Sequence, residues 1–114
     1  MEELSLFQKI IRREIPAEIL LETEETLVIR DIAPQAPVHV LIIPKKPIPR
    51  ISEAEEADAA LLGKLLLVAR VFTEREKIAE GYRLVINNGR MAGETVPHLH
   101  IHLLAGRPLG WPPG

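Results

Sequence analysis

The sequence predicts an α+β fold: a five-stranded antiparallel sheet accompanied by two helices, one short and N-terminal, one long and central. Three observations lead there. Several strand-like segments follow one another with gaps too short for a crossover helix, which favours antiparallel neighbours. The order helix, three strands, long helix, two strands lacks the strand–helix–strand alternation of a parallel sheet. The chain has 114 residues, 46% of them hydrophobic and 26% charged. That balance suits one domain over residues 1–114 with a real core and excludes a disordered chain.

The elements read in order. Ser5 with Gln8 matches a capping box, and Leu6, Phe7, Ile10 and Ile11 repeat at helical spacing until Pro16. Ile19–Glu22 and Thr26–Ile32, split by Glu24 and Glu25, read as a strand hairpin. Ala33-Pro34-Gln35-Ala36-Pro37 interrupts regular structure, because proline lacks the amide donor. Val38–Ile43 is a third strand, aliphatic except for His39. A second capping box, Ser52 with Glu55, opens a long helix running to about Glu80, with Ala57, Leu61, Leu65, Val68, Ala69 and Phe72 as its apolar stripe. Gly63, inside that helix, is expected to be a close-packing point, and Gly81 to be its stop. Strand four is Tyr82–Ile86, a turn-rich loop covers 87–93, and strand five is His98–Leu104. Both helices are expected on one face of the sheet, under the aliphatic side of strand five.

Composition removes several function classes. There is no cysteine, which excludes disulfides, thiolate metal sites and thiol nucleophiles, and a small disulfide-free domain fits the cytoplasm. A net charge of -2 and an aromatic content of 4% argue against a nucleic-acid partner. The N-terminus is charged from Glu2, unlike a signal peptide, and no apolar run approaches the length of a membrane span.

The chemistry concentrates in strand five. His98, His100 and His102 alternate with Leu99, Ile101 and Leu103. Side chains in a strand alternate between faces, so three imidazoles share one side at spacings of about 7 Å while the aliphatics pack on the other. Three of the chain's four histidines in alternation are not a generic surface pattern. Two uses compete. The triad could hold a metal, with a third ligand from His39, Asp31 or Glu94. Or an imidazole could attack phosphorus and form a phosphoimidazole, with neighbouring rings tuning its tautomer and protonating the leaving group. A lone histidine among aliphatics, as His39 is, is more often a hydrogen-bonded core residue than a catalyst, and its role depends on whether strands three and five are neighbours. Asp31 either starts the turn after strand two or grips a diol. Thr95 carries a hydroxyl near the histidines. The glycines of the 87–93 loop permit close backbone approach to a ligand.

His98-Leu99-His100-Ile101-His102-Leu103-Leu104 resembles the signature of the histidine triad family of nucleotide-binding proteins. Phe7 to Ala17, Asp31 to His39, Ile43 to Lys46 and the ending Gly106 to Gly114, with Trp111-Pro112-Pro113, are similar to its Hint branch, so the likeness covers essentially the whole chain. The resemblance implies a purine nucleoside phosphoramidase that yields a nucleoside monophosphate and an amine without a cofactor. It implies a homodimer whose two sheets join, with the tail carrying Trp111 near the partner's site. By the same resemblance His100 is the nucleophile, and His98 and His39 form the supporting relay behind it. His102 contacts the phosphate, and Thr95 stands where serine usually assists the leaving group. Phe7 and Ile10 wall an AMP- or GMP-type purine, and Asp31 with Ile32 takes the ribose. Asn87, Gly93, Glu94, Thr95 and Val96 line the phosphate end. A non-catalytic nucleotide-binding module is the alternative.

Two positions depart from the branch. Glu94 stands in place of glutamine, and a carboxylate beside a phosphate is repulsive unless it is paired or turned away. Pro97 replaces a residue that is often aromatic. His102 is present where the transferase branch carries glutamine, which favours water as the final acceptor.

Overall fold

The computed structural model describes residues 4–114. Helix α1 (Leu6–Ile11) begins with the expected box: Gln8 N donates to Ser5 Oγ, and Ser5 N donates to Gln8 Oε1. Strands β1 (Ile19–Glu22) and β2 (Thr26–Arg30) form the expected hairpin, its turn tied by Thr23 and Thr26. Next come β3 (Val38–Pro44), helix α2 (Ala59–Arg75), β4 (Tyr82–Val85) and β5 (Ile101–Ala105). All strand pairs are antiparallel, in the order β1-β2-β3-β5-β4. The pairing of β3 with β5 sets His39 opposite Leu104 and Leu41 opposite His102, so His39 and His102 share a face as diagonal neighbours.

The two helices lie on opposite faces, not on one. Leu65, Val68, Ala69 and Phe72 of α2 pack on Val28, Val40, Ile42, Ile101 and Leu103. Phe7 and Ile10 of α1 pack on Leu27, Ile29, Leu41 and Ile43. The physical reason is visible in β2 and β3, whose unbroken apolar runs need cover on both sides. The short helix therefore roofs the imidazole face and makes it a cleft.

The long helix starts later than expected. Two 3-10 turns, Ile51–Glu53 and Glu56–Asp58, precede it, and the capping box at that point joins Glu55 to Asp58. The helix ends at Arg75. Ile78 N donates to Thr73 O and Lys77 N to Glu74 O, and Lys77 takes the left-handed position (φ 56°) where glycine is usual. Gly63 is exposed and has no atom within 4 Å of where a Cβ would stand, so it is not a packing point. Strand β5 begins at Ile101; His98, in a bend where its N donates to Val96 O, and His100 precede it, and Leu99 N pins the segment by donating to Ile48 O at 2.7 Å. Among the described residues no helix is long and apolar enough to cross a membrane.

Candidate active site

Leu99, Ile101 and Leu103 enter the core beneath α2, and the three imidazoles occupy the other side, beneath α1. Phe7 stands edge-on to His100 at 4.9 Å and to His98 at 6.1 Å, and His100 lies 5.0 Å from His102 between ring centroids. The expected ladder is present, although its first two rungs precede the strand.

Each ring has a distinct environment. His98 is fully buried; its Nε2–H donates to Pro44 O at 2.8 Å, and Ser5 Oγ sits 3.4 Å from its Nδ1. Burial holds its pKa below the ordinary value, the Pro44 carbonyl opposing in part. His100 donates its Nδ1–H to His98 O at 2.7 Å. In the neutral ring that leaves the lone pair on Nε2, at the wall of a cavity. His102 packs on His39, with His39 Nε2 3.0 Å from His102 Nδ1. Burial, then His100 and His39, lower the His102 pKa against the pull of Asp31. His39 thus stands behind His102 and not behind His100, a placement that required the β3–β5 pairing.

The cavity has a volume of about 270 Å³, near the small end of ligand clefts. Phe7, Ile10, Asp31, Ile32, Thr95, Val96, His100 and His102 line it, as the sequence led one to expect. Ile29 and Leu41 complete its apolar floor; alternation along β2 and β3 carried that signal. Asp31 starts the turn and lines the cavity with the same side chain. Its Oδ1 accepts from Ala33 N at 2.8 Å, initiating the turn, while its Oδ2 lies 3.4 Å from His39 Nε2 and 4.0 Å from His102 Nδ1. Ile32 is nearly fully exposed at the rim. A larger depression of about 610 Å³ lies at the far end, between 77–81 and 106–108, and no imidazole reaches it.

Four expected ligand residues lie outside this wall: Asn87, Gly93, Glu94 and Trp111. Gly93 sits in a left-handed turn (φ 91°) after the 3-10 turn Arg90–Ala92. Trp111 is 85% exposed on the tail. Glu94 is drawn away by Arg50, whose Nε and Nη2 donate to its carboxylate at 3.0 Å, and Gly89 N donates to Oε1 at 2.9 Å. Arg50, unremarked in the sequence, is therefore the residue that makes a carboxylate tolerable here. Its side chain also bridges to Glu53.

Arg50, then the Gly89 amide, hold Glu94 below the usual carboxylate range. A depressed carboxylate pKa contributes stability above the unfolded value, about 4.3, and loses it as pH falls through the folded value. The Glu94→Gln variant is expected to lose less melting temperature than the parent between about pH 5 and 3. The lowered pKa values of His98 and His102 also make stability fall as pH drops below about 6.5, but equally in both proteins, so they cancel in the comparison. Parallel curves in that window would contradict the pairing.

The profile of the HIT domain family matches residues 12–109. A "14 kDa zinc-binding protein" of Zea mays is 47% identical over 112 residues, covering 96% of this chain and 88% of that one. The crystal structure of a HIT family hydrolase from Legionella pneumophila superposes with a TM-score of 0.93 at 47% identity, covering 96% and 98% of the two chains. A histidine triad nucleotide-binding protein from Candida albicans gives 0.82 at 36% identity, covering 96% and 83%.

Proposed function

This chain belongs to the HIT domain family, and we propose that it is a purine nucleoside phosphoramidase of the Hint branch. The substrate is a nucleoside 5′-phosphoramidate; the products are the nucleoside monophosphate and an amine. His100 Nε2 attacks the α-phosphorus, a nitrogen–phosphorus bond to the enzyme forms, and the bond to the amine breaks. The amine leaves with a proton, for which the Thr95 hydroxyl stands at the cavity wall. Water then attacks the phosphorus of the nucleotidyl-histidine, its proton passes to the Thr95 oxygen, and the bond from phosphorus to His100 Nε2 breaks, releasing the monophosphate. No metal takes part in these steps.

One observation carries the reading. The His98 carbonyl holds the Nδ1 proton of His100, so the opposite nitrogen presents its lone pair to a cleft with an apolar half and a carboxylate. Phe7 and Ile10 suit a purine, Asp31 suits vicinal hydroxyls, and His102 suits the phosphate. The names of the Legionella and Candida proteins, a hydrolase and a nucleotide-binding protein, point the same way.

Steady-state hydrolysis of adenosine 5′-phosphoramidates with a series of leaving amines tests it. The expected result is turnover that is unchanged by chelator, with AMP as a competitive inhibitor. Tight AMP binding with negligible turnover of every amine would mean a binding module instead.

The working unit is proposed to be a homodimer. Strand β4 is an unpaired sheet edge, and Leu66, Leu67 and Val71 of α2 are half exposed. Sedimentation at micromolar concentration is expected to give the dimer mass; a monomer would reject this.

A further inference from the structure

Resting on the phosphoramidase reading above, we propose that Arg50 and Glu94 form a positioning pair that locks the segment from Gly89 to Thr95 and so aims the Thr95 hydroxyl at the leaving amine. The backbone alone constrains this segment weakly. Gly89 (φ 92°) and Gly93 (φ 91°) both take positive φ, and no atom stands within 4 Å of where a Cβ would be on either. The internal bonds are single turns: Ala92 N and Glu94 N share Gly89 O at 3.1 and 3.2 Å, and Gly93 N reaches Arg90 O at 3.1 Å.

The Glu94 side chain closes the segment. Its Oε1 accepts from Gly89 N at 2.9 Å, so one residue engages both the amide and the carbonyl of Gly89. Arg50 then fixes that carboxylate from outside the loop. Its Nε donates to Oε1 and its Nη2 to Oε2, each at 3.0 Å, a fork that sets direction as well as distance. Glu53 holds the remaining nitrogen of the guanidinium, and Ser52 N donates to Asn88 Oδ1 at 2.8 Å, tying the same turn to the loop a second time. The Glu94 side chain is only 11% exposed, so solvent screens the pair less than an ordinary surface one.

Thr95 follows Glu94 directly, and Thr95 and Val96 line the cavity with His100. Val96 packs on the cluster around Phe7, and its carbonyl accepts from His98 N at 2.8 Å. Thr95 is therefore held between a clamped residue and a packed one. Arg50 and then the Gly89 amide lower the Glu94 pKa, and charge on His100 adds to the effect, which sets carboxylate and nucleophile at the same end of the site. In the reaction the Thr95 proton passes to the amine nitrogen as the phosphorus–nitrogen bond breaks, and the oxygen recovers a proton from the attacking water in the next step. A transfer of that kind needs hydrogen-bond reach, and a misplacement of about 1 Å costs up to roughly a hundredfold. The demand varies with the amine. A departing alkylamine needs the proton; a nitro-substituted arylamine, whose anion the ring stabilises, needs it far less.

Steady-state hydrolysis of two adenosine 5′-phosphoramidates, one of an alkylamine and one of a nitro-substituted arylamine, tests the pair. Arg50→Gln is expected to lower kcat/KM by about tenfold for the first and by less than about twofold for the second. In a Thr95→Ala background it is expected to cost nothing further with the alkylamine, because both changes act on one step. Equal losses on the two substrates overturn the positioning role; that is how a freed carboxylate repelling the phosphate behaves, whatever the amine. Additive losses with Thr95→Ala overturn it too. If Arg50→Gln does not fold, Arg50→Lys keeps the charge without the fork and is expected to fall between, with the same dependence on the amine; equal losses there overturn the role as well. A parent that turns over neither substrate rejects the phosphoramidase reading and the positioning role with it, whereas turnover with equal or additive losses rejects the positioning role alone.

Discussion

Replacing His100 with alanine is expected to lower kcat/KM for adenosine 5′-phosphoramidate by at least about a thousandfold while AMP binding changes little. The ring is the only imidazole among the described residues that combines a proton fixed on one nitrogen with a cavity-facing second nitrogen free of protein partners. His98 has its Nε2 bound to Pro44 O and is sealed from solvent. His102 and His39 engage each other. No neighbour can take over the attack without breaking one of these bonds. Binding has other supports: Phe7, Ile10, Asp31 and His102 remain in place. Removing the ring also removes its edge contact with Phe7, so some loss of stability is expected, and thermal melting with and without AMP separates that from chemistry. Substantial residual turnover would take the nucleophile role from His100.

Asp31→Ala is expected to weaken AMP binding by roughly ten- to a hundredfold, the size of a lost hydrogen bond to a charged group. The carboxylate is half structural. One oxygen accepts from Ala33 N, and the other lies 3.4 Å from His39 Nε2, in a side chain that lines the cavity. The control is a ligand without the 2′ and 3′ hydroxyls. If Asp31 grips the ribose, the parent discriminates against the dideoxy nucleotide and the variant does not. If both ligands lose equally, Asp31 acts only through the turn. Asp31→Asn keeps an oxygen for Ala33 N but loses the charge, and is expected to fall between the two.

Local signals were legible in the sequence and long-range ones were not. The Ser5 and Gln8 box, the β1–β2 hairpin and the stripe from Leu65 to Phe72 depend on residues within a few positions of one another, and each formed as read. The alternation from His98 to Leu103 also separated imidazoles from aliphatics as its period requires. What failed involved competition or distance. Ser52/Glu55 and Glu55/Asp58 are overlapping capping patterns, and the second one closed. Lys77 adopted a left-handed conformation that glycine statistics assign to Gly81. The placement of α1 opposite α2 was encoded in the unbroken runs Leu27–Ile29 and Val40–Ile43, which demand cover on two faces. The Arg50–Glu94 pair spans 44 residues and the His39–His102 pair spans 63, so no local pattern announces either. In the site, the grouping of the rings, the apolar wall of Phe7 and Ile10 and the place of Asp31 beside them were readable; the partners that orient them were not.

Soaking crystals of the protein with AMP most directly tests how a nucleotide sits against these rings. The account predicts the purine between Phe7 and Ile10, the ribose at Asp31, and the phosphorus within about 3–3.5 Å of His100 Nε2, in line for attack. A phosphate seated in the depression between residues 77–81 and 106–108, or turned away from that nitrogen, would contradict it.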